Sequence, residues 1–495
     1  MSKPLTPRRG GRSKAAAGDS TPAPAKETTA KSKPAAARGG KAPDLSSYSL
    51  AVRYLYDRVD FERMRVIRYD ENVFKLDRMR ALLAQLGNPH EQVKMVHVAG
   101  TVGKGSTVAM IANMLQGCGY AVGQYTSPHL MDVRERITIN GQMISKADFT
   151  ECMRAVSVAA TKIPASIPGE PTFFELMTAA AFRYFAEQAV DIAVIEVGLG
   201  GRLDSTNVIT PEVSVITTID YDHTHILGNT LAKIAREKAG IFKKGVPALS
   251  FEQHEDVERT LRECAEKVGA PFKIINKDIE FSTRFGSNAE LGPHTRVCLL
   301  TETSQFMHIP VPLAGEHQAG NCALALAAID LLKGRGFQFP EVALHEGLSA
   351  TKMPGRMELV WDSPRILVDG AHNAAALSAL MRCVGAHVPY DSMVCIFGCC
   401  EDKDVSAMLD RVALGGDKII FTRAKGNARA ADPEDLQREF AERSGKMNQV
   451  AASLQDAIDL ATRAVGRDDL IVITGSFYLV GEAKKYLAEV DRKQR

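Results

Sequence analysis

An apolar run at residues 93–98 (VKMVHV) leads directly into a glycine-rich octet, GTVGKGST at 100–107, and then into a helix-compatible stretch, 104–115. A strand that turns into a helix through such a loop opens a βα unit, because parallel strands need a helical crossover between them. The loop also points to chemistry. Glycines let backbone N–H groups converge on oxygen anions, a helix N-terminus adds positive potential, and a lysine reaches outer phosphates. The spacing departs from GxxxxGK[ST]: two residues separate Gly100 from Gly103, and Gly105 stands between Lys104 and Ser106. Two readings follow, a nucleotide-phosphate loop or a plain tight strand-to-helix turn.

The pattern repeats along the chain. Apolar stretches at 121–125, 191–197, 213–219 and 246–250 read as strands, with helices at 173–188, 231–239 and 254–268. After Pro354-Gly355 a second series begins, with strands at 365–368, 393–397, 418–422 and 470–474, and helices at 373–384, 405–412 and 454–465. This predicts two α/β domains, each a mainly parallel sheet covered by helices. A cleft between two such domains is a common place for a two-substrate site.

The expected division is a tail over 1–45, a central domain over 46–350 and a smaller domain over 351–495. At 495 residues the chain has room for two or three domains. The tail is built from Lys, Arg, Ala, Pro, Gly, Ser and Thr without an aromatic residue, which predicts disorder. An organellar transit peptide and a nucleic-acid or membrane contact are its alternatives. The formal charge of +2 hides an asymmetry: residues 1–45 carry ten basic and three acidic residues, net +7, while the rest carries 51 and 56, net −5. A mildly acidic folded part does not favour nucleic acid, and no stretch reads as a membrane span. Nine cysteines in so long a chain are not a disulfide framework. Their one cluster, Cys395, Cys399 and Cys400, lacks zinc-ligand spacing and reads as buried thiols in a reducing cytosol.

Other polar stretches stand at strand ends, where open α/β sheets bind ligands. They are YTSPHL at 125–130, EVGLGGRLDSTN at 196–207 and DYDHTH at 220–225. A carboxylate, a hydroxyl and an imidazole at successive strand ends suit a divalent cation, and an oxygen-rich set favours magnesium over zinc. Each alone also reads as a cap or surface loop, and His225 reads equally well as incidental.

The motifs HVAGTVGKGST, YTSPHL, TFFELMTAAAF, EVGLGGRLDSTN, DHTHILGNTLAKIAREKAGIF, GEHQAGN, PGRME and DGAHN occur in the order found in the folylpolyglutamate synthases and the bifunctional dihydrofolate synthase/folylpolyglutamate synthases. From residue 48 to the C-terminus the chain resembles that family, within the Mur ligase superfamily. The resemblance implies a Mur-ligase-like α/β fold, with a P-loop ATPase domain and a Rossmann-like C-terminal domain.

It also implies an ATP- and Mg²⁺-dependent amide ligase. Such an enzyme phosphorylates a carboxylate and lets the amino group of L-glutamate displace phosphate from the acyl phosphate. Matched to the family's motifs, Val102, Gly103, Lys104, Gly105 and Ser106 would cradle the phosphates of ATP, and Asn321, Arg356, Asp369 and His372 would contact ATP from the far side. Ser127, Glu196 and His223 would hold Mg²⁺, and Lys238 matches a lysine carboxylated in the family; its plain reading is a helix-surface lysine. Lys104, Glu196, His223 and Lys238 would then be the catalytic set. Thr172, Phe173, Phe174 and Glu175, with Leu203, Asp204 and Ser205, match segments that contact pteroate or folate, although a helix bearing two phenylalanines also suits a core. The family's loop usually reads TNGKGS, so Val102 stands where an Asn is expected and one amide contact is lost.

The partners implied are small molecules, dihydropteroate or folate, L-glutamate and ATP, for a cytoplasmic monomer. The acceptor is dihydropteroate, folate or both, and bifunctionality is expected by resemblance to bacterial members. Two other readings compete: a Mur-type ligase acting on a peptidoglycan precursor or polymer, and a nucleotide-binding regulatory or nucleic-acid-associated protein using the basic tail. TFFE and EVGLGGRLDSTN favour the folate branch over the first, and the set of Lys104, Glu196, His223 and Arg356 argues against the second.

Overall fold

The computed structural model describes residues 43–60, 76–288, 291–425 and 427–494. The expected disordered tail therefore lies almost wholly outside the described residues.

Eight strands form the first sheet: β1 (Met95–Ala99), β2 (Val122–Tyr125), β3 (Ile137–Ile139), β4 (Gln142–Met143), β5 (Ile192–Glu196), β6 (Val213–Ile216), β7 (Ala248–Phe251) and β8 (Phe272–Ile275). Their order is β4-β3-β2-β5-β1-β6-β7-β8. The run from β2 to β8 is parallel, and β3 and β4 add an antiparallel edge. Strands β1, β5 and β6 are buried at every position, as expected for parallel strands with helices on both faces. One face packs on the helices Lys104–Gly117 and His317–Lys333, the other on Lys146–Thr161 and Phe173–Glu187. The chain enters this core before β1. Val59 accepts the Phe173 N–H at 3.0 Å, and Arg78 on the helix Leu76–Ala84 is buried against Glu175.

A three-stranded antiparallel sheet follows, β9 (Glu280–Asn288), β10 (Gly292–Leu300) and β11 (Gln305–Pro310), in the order β11-β10-β9. The sequence reading contained no such sheet. The third sheet is formed by β12 (Glu358–Asp362), β13 (Arg365–Val368), β14 (Met393–Phe397), β15 (Lys418–Phe421), β16 (Met447–Val450) and β17 (Leu470–Thr474), ordered β12-β13-β17-β14-β15-β16. Only β12 is antiparallel to its neighbour. β17 inserts between β13 and β14, and the loops after β13, β14 and β17 gather at the strands' carboxyl ends, where open α/β sheets bind ligands. Cys395, Cys399 and Cys400 are buried free thiols of this sheet, and no group of three metal-ligating side chains occurs among the described residues.

Candidate functional site

The carboxyl ends of both parallel sheets open into one cleft of about 1710 Å³. From the first sheet come the loop after β1, Ser127 after β2, Glu196 at the end of β5, and Asp222 and His223 after β6. From the third come Asp369 and His372 after β13, Lys403 after β14 and Phe477 after β17. Val102 to Ser106, Thr172, Phe174, Glu175, Leu203, Asp204, Ser205 and Arg356 complete the set of sequence-expected residues on its walls.

The octet after β1 makes a sharp turn into its helix. Gly103 is the N-cap of Lys104–Gly117 with φ +93°, and a Cβ there would lie 2.9 Å from Asn321 Cγ. No residue with a side chain fits that position without displacing Asn321. Asn321 itself is buried, receives no place on the cleft wall, and donates from Nδ2 to Gln318 Oε1 at 2.9 Å. It supports the loop from behind. The Thr101 and Val102 N–H groups donate to the Thr218 carbonyl at 2.8 and 3.2 Å. Val102 therefore presents a side chain, 38 % exposed, and its N–H is not among the converging donors expected from the sequence. The first-turn N–H groups of the helix remain the natural anion donors. Lys104 folds over its own loop and donates to the carbonyls of Gly100 (3.0 Å) and Thr101 (3.2 Å).

Glu196 is 4 % exposed and accepts the Ser127 N–H at 3.2 Å. Burial pushes its carboxyl up to about 7, against the opposing pull of Lys104, that N–H, Arg356 and Arg136. A buried carboxylate so poorly compensated is stabilised by a cation. His223, in the left-handed region at φ +48°, lies beside Asp222, with Nε2 3.7 Å from Asp222 Oδ2. The Ser127 N–H meets Glu196, and His223 lines the same cleft. One buried carboxylate plus hydroxyl and imidazole donors fits Mg²⁺, which commonly takes one or two protein ligands and completes its shell with phosphate oxygens and water.

Lys238 is fully buried in the helix Leu231–Ala239 and donates to the Gly100 carbonyl at 2.7 Å. The surface-lysine alternative is therefore wrong. Burial and then the charge of Lys104 lower its pKa to about 7, with Asp222 and Asp204 opposing. Much of this amine is neutral at neutral pH, the form that adds to carbon dioxide.

The substrate-matched residues divide by role. Thr172 and Glu175 form a capping box, Thr172 N–H to Glu175 Oε2 at 2.7 Å and Glu175 N–H to Thr172 Oγ1 at 3.2 Å. Arg78 Nε adds 2.9 Å bonds to both Glu175 oxygens. Phe173 is 1 % exposed, lies under the Arg136 guanidinium at 5.1 Å and is absent from the cleft wall, so its side chain belongs to the core. Phe174, one position on, faces the cleft with its ring 5.8 Å from that of Tyr125. Asp204 accepts the N–H groups of Leu199 (2.9 Å) and Thr206 (3.0 Å), which fixes the loop carrying Leu203 and Ser205.

On the opposite wall, Asp369 accepts the N–H groups of Met357 (2.9 Å) and Ala371 (2.8 Å), joining the PGRME and DGAHN segments. Several residues on the cleft wall were not expected. Arg78 and Arg136 line it, and Lys403 lies 3.8 Å from Asp222 across it, whereas His129 on the same wall belongs to the YTSPHL stretch expected at a strand end. The side chain of His225 is outside the described residues.

Comparison with known proteins agrees with this geometry. Residues 98–329 match the Mur ligase middle domain, and residues 355–477 match the Mur ligase, glutamate ligase domain. A dihydrofolate synthase/folylpolyglutamate synthase of Bacillus subtilis is 36 % identical over 414 residues, 83 % of this chain and 94 % of that protein. This chain belongs to the folylpolyglutamate synthase/dihydrofolate synthase family. Among solved structures of the family, Mycobacterium tuberculosis folylpolyglutamate synthase complexed with ADP and AMPPCP superposes with a TM-score of 0.79 at 33 % identity, covering 90 % of this chain and 99 % of that one. Escherichia coli FolC in complex with DHPP and ADP gives 0.78 at 27 % identity, covering 92 % and 100 %. The fold is thus the Mur-ligase-like α/β architecture of the family.

Proposed function

We propose that this chain is an ATP-dependent ligase that adds L-glutamate to dihydropteroate and to the glutamate tail of tetrahydrofolate. The observation that carries the reading is the placement of buried Glu196 against the Ser127 N–H, in one cleft with the Lys104 loop. ADP-bound relatives with the same fold support a nucleotide here.

A carboxylate is a poor electrophile. Its oxygen attacks the γ-phosphorus of ATP, giving an acyl phosphate and ADP; the glutamate nitrogen then attacks the acyl carbon, phosphate leaves, and the nitrogen loses a proton. Catalysis of such transfers is positioning plus neutralisation of charge. Mg²⁺, when bound, shields the phosphate oxygens. In this chain Gly103 to Ser106 hold phosphate, Lys104 swings from its carbonyl partners to the outer phosphate, and Arg356 approaches from the other wall. Glu196, Ser127 and His223 supply the cation's protein donors. Lys238, carboxylated, adds a carboxylate at the base of the loop. Phe174, Leu203 and Ser205 form the acceptor wall, and Thr172, Glu175 and Asp204 hold that wall in shape. Two walls around the site keep water from the acyl phosphate.

The domain division 46–350 and 351–495 accompanies this reading, with the two family matches falling inside it. A cytoplasmic monomer is part of it too. No described helix is long and apolar enough to cross a membrane, all nine cysteines are free, and one chain supplies both cleft walls. The test is ATP-dependent glutamate incorporation with dihydropteroate and with tetrahydrofolate as separate acceptors. Incorporation into only one removes the bifunctional claim; incorporation into a UDP-muramoyl acceptor instead moves the chain to another Mur-type branch.

A further inference from the structure

We propose that Phe477 is a positioning residue for the nucleotide, acting by stacking beneath Arg356; the proposal rests on the reading of this cleft as an ATP site. Phe477 opens the last helix, Phe477–Gln494, three residues beyond the end of β17. Its ring centroid is 4.5 Å from Arg356 Cζ. The same ring is 5.5 Å from the His372 imidazole, and a Cβ added to Gly370 would lie 2.5 Å from Phe477 Cε1. One aromatic plate therefore touches the PGRME segment and the DGAHN segment together.

The backbone beneath Arg356 is fixed independently. Gly370 N–H donates to the Gly355 carbonyl at 2.8 Å, and Asp369 accepts the Met357 N–H at 2.9 Å. What remains free is the long side chain of Arg356, whose ordering on a phosphate costs rotamer entropy. Among the described residues no hydrogen bond or ion pair holds its guanidinium, so the face of Phe477 sets its direction. A guanidinium over an aromatic face is attracted by the ring quadrupole and keeps its N–H fork outward. The fork is thereby aimed into the cleft before nucleotide arrives. Leucine would fill the space without supplying a quadrupole.

The test is calorimetric titration of the full chain with the non-hydrolysable analogue AMPPCP, alongside thermal unfolding without nucleotide. Phe477→Leu is expected to bind about tenfold more weakly than wild type with an unchanged unfolding midpoint. Phe477→Tyr, which keeps the face, should bind within about twofold of wild type. In an Arg356→Ala background, Phe477→Leu should cause no further loss. Phe477→Met, a more adaptable apolar filler, replaces the leucine variant if that chain does not fold. Wild-type affinity in a folded Phe477→Leu chain overturns the proposal, as does an equal loss with and without Arg356. A wild-type chain that binds no nucleotide overturns the ligase reading itself, an outcome distinct from either.

Discussion

Lys238 and Gly100, 138 positions apart, are joined by a 2.7 Å hydrogen bond from the buried Nζ to the carbonyl at the base of the phosphate loop. Burial, then the charge of Lys104, lowers the lysine's pKa to about 7. Removal of carbon dioxide from the assay at pH 8 should slow ligation several-fold, and bicarbonate should restore it. Lys238→Arg, which cannot be carboxylated, should be slow and insensitive to bicarbonate. Equal wild-type rates with and without bicarbonate would show that the free amine suffices.

Gly103 combines a φ of +93° with the close approach of Asn321. Gly103→Ala should destabilise the chain by about 1–3 kcal/mol in denaturant unfolding and weaken ATP binding as well. Adding Asn321→Ala removes the collision but not the strained φ, so the double variant should recover part of the stability. Full stability in the single variant would contradict the geometry.

His97 gives a pH dependence of known sign. Its Nε2–H donates to Thr206 Oγ1 at 2.8 Å, because the Thr206 hydroxyl is itself spent on Asp204. Its Nδ1 is buried without a partner, and burial, then Lys243, lowers its pKa to about 3. Unfolding returns it to roughly 6.5. Between these values the unfolded chain binds the extra proton, so stability falls as pH drops below about 6.5, by about 1.4 kcal/mol per pH unit. His97→Gln keeps the donor and cannot titrate. The stability difference between the two chains should therefore shift toward the variant from pH 7 to pH 5; a constant difference would contradict a neutral buried imidazole.

Val102 stands where the resemblance implies an Asn, yet its N–H is already bonded to Thr218 and its side chain is exposed. Val102→Asn should change the KM for ATP by less than about threefold and leave stability within about 0.5 kcal/mol. A larger gain in ATP affinity would show that the lost amide contact matters.

Much of the fold was legible because parallel strands buried on both faces are continuous apolar runs. The strands β1, β5, β14 and β17 needed no tertiary information to find. The sheet of β9, β10 and β11 was not legible for the opposite reason. Strand β9, EFSTRFGSN, is largely solvated and offers no apolar run. Glycine loops and carboxylates at strand ends announced the site, and nearly all of the matched residues line one cleft. Three placements escaped. Phe173 and Phe174 differ by about 100° around a helix, so one enters the core while its neighbour faces the cleft. Asn321 packs against Gly103 of the phosphate loop, a tertiary contact without sequence periodicity. Arg78 and Arg136 are buried charges, and periodicity reads charged residues as solvent-facing.

In the proposed reaction the Lys104 loop and Glu196 drive ATP-dependent transfer of an acyl group to glutamate. The decisive measurement is ADP release with dihydropteroate and L-glutamate, omitting each in turn. Release should require both and be accompanied by stoichiometric glutamate incorporation. Lys104→Ala and Glu196→Ala should each lose at least 10²-fold in turnover, about 2.7 kcal/mol of transition-state stabilisation. ADP release without glutamate incorporation, or near-normal turnover in either variant, would contradict it.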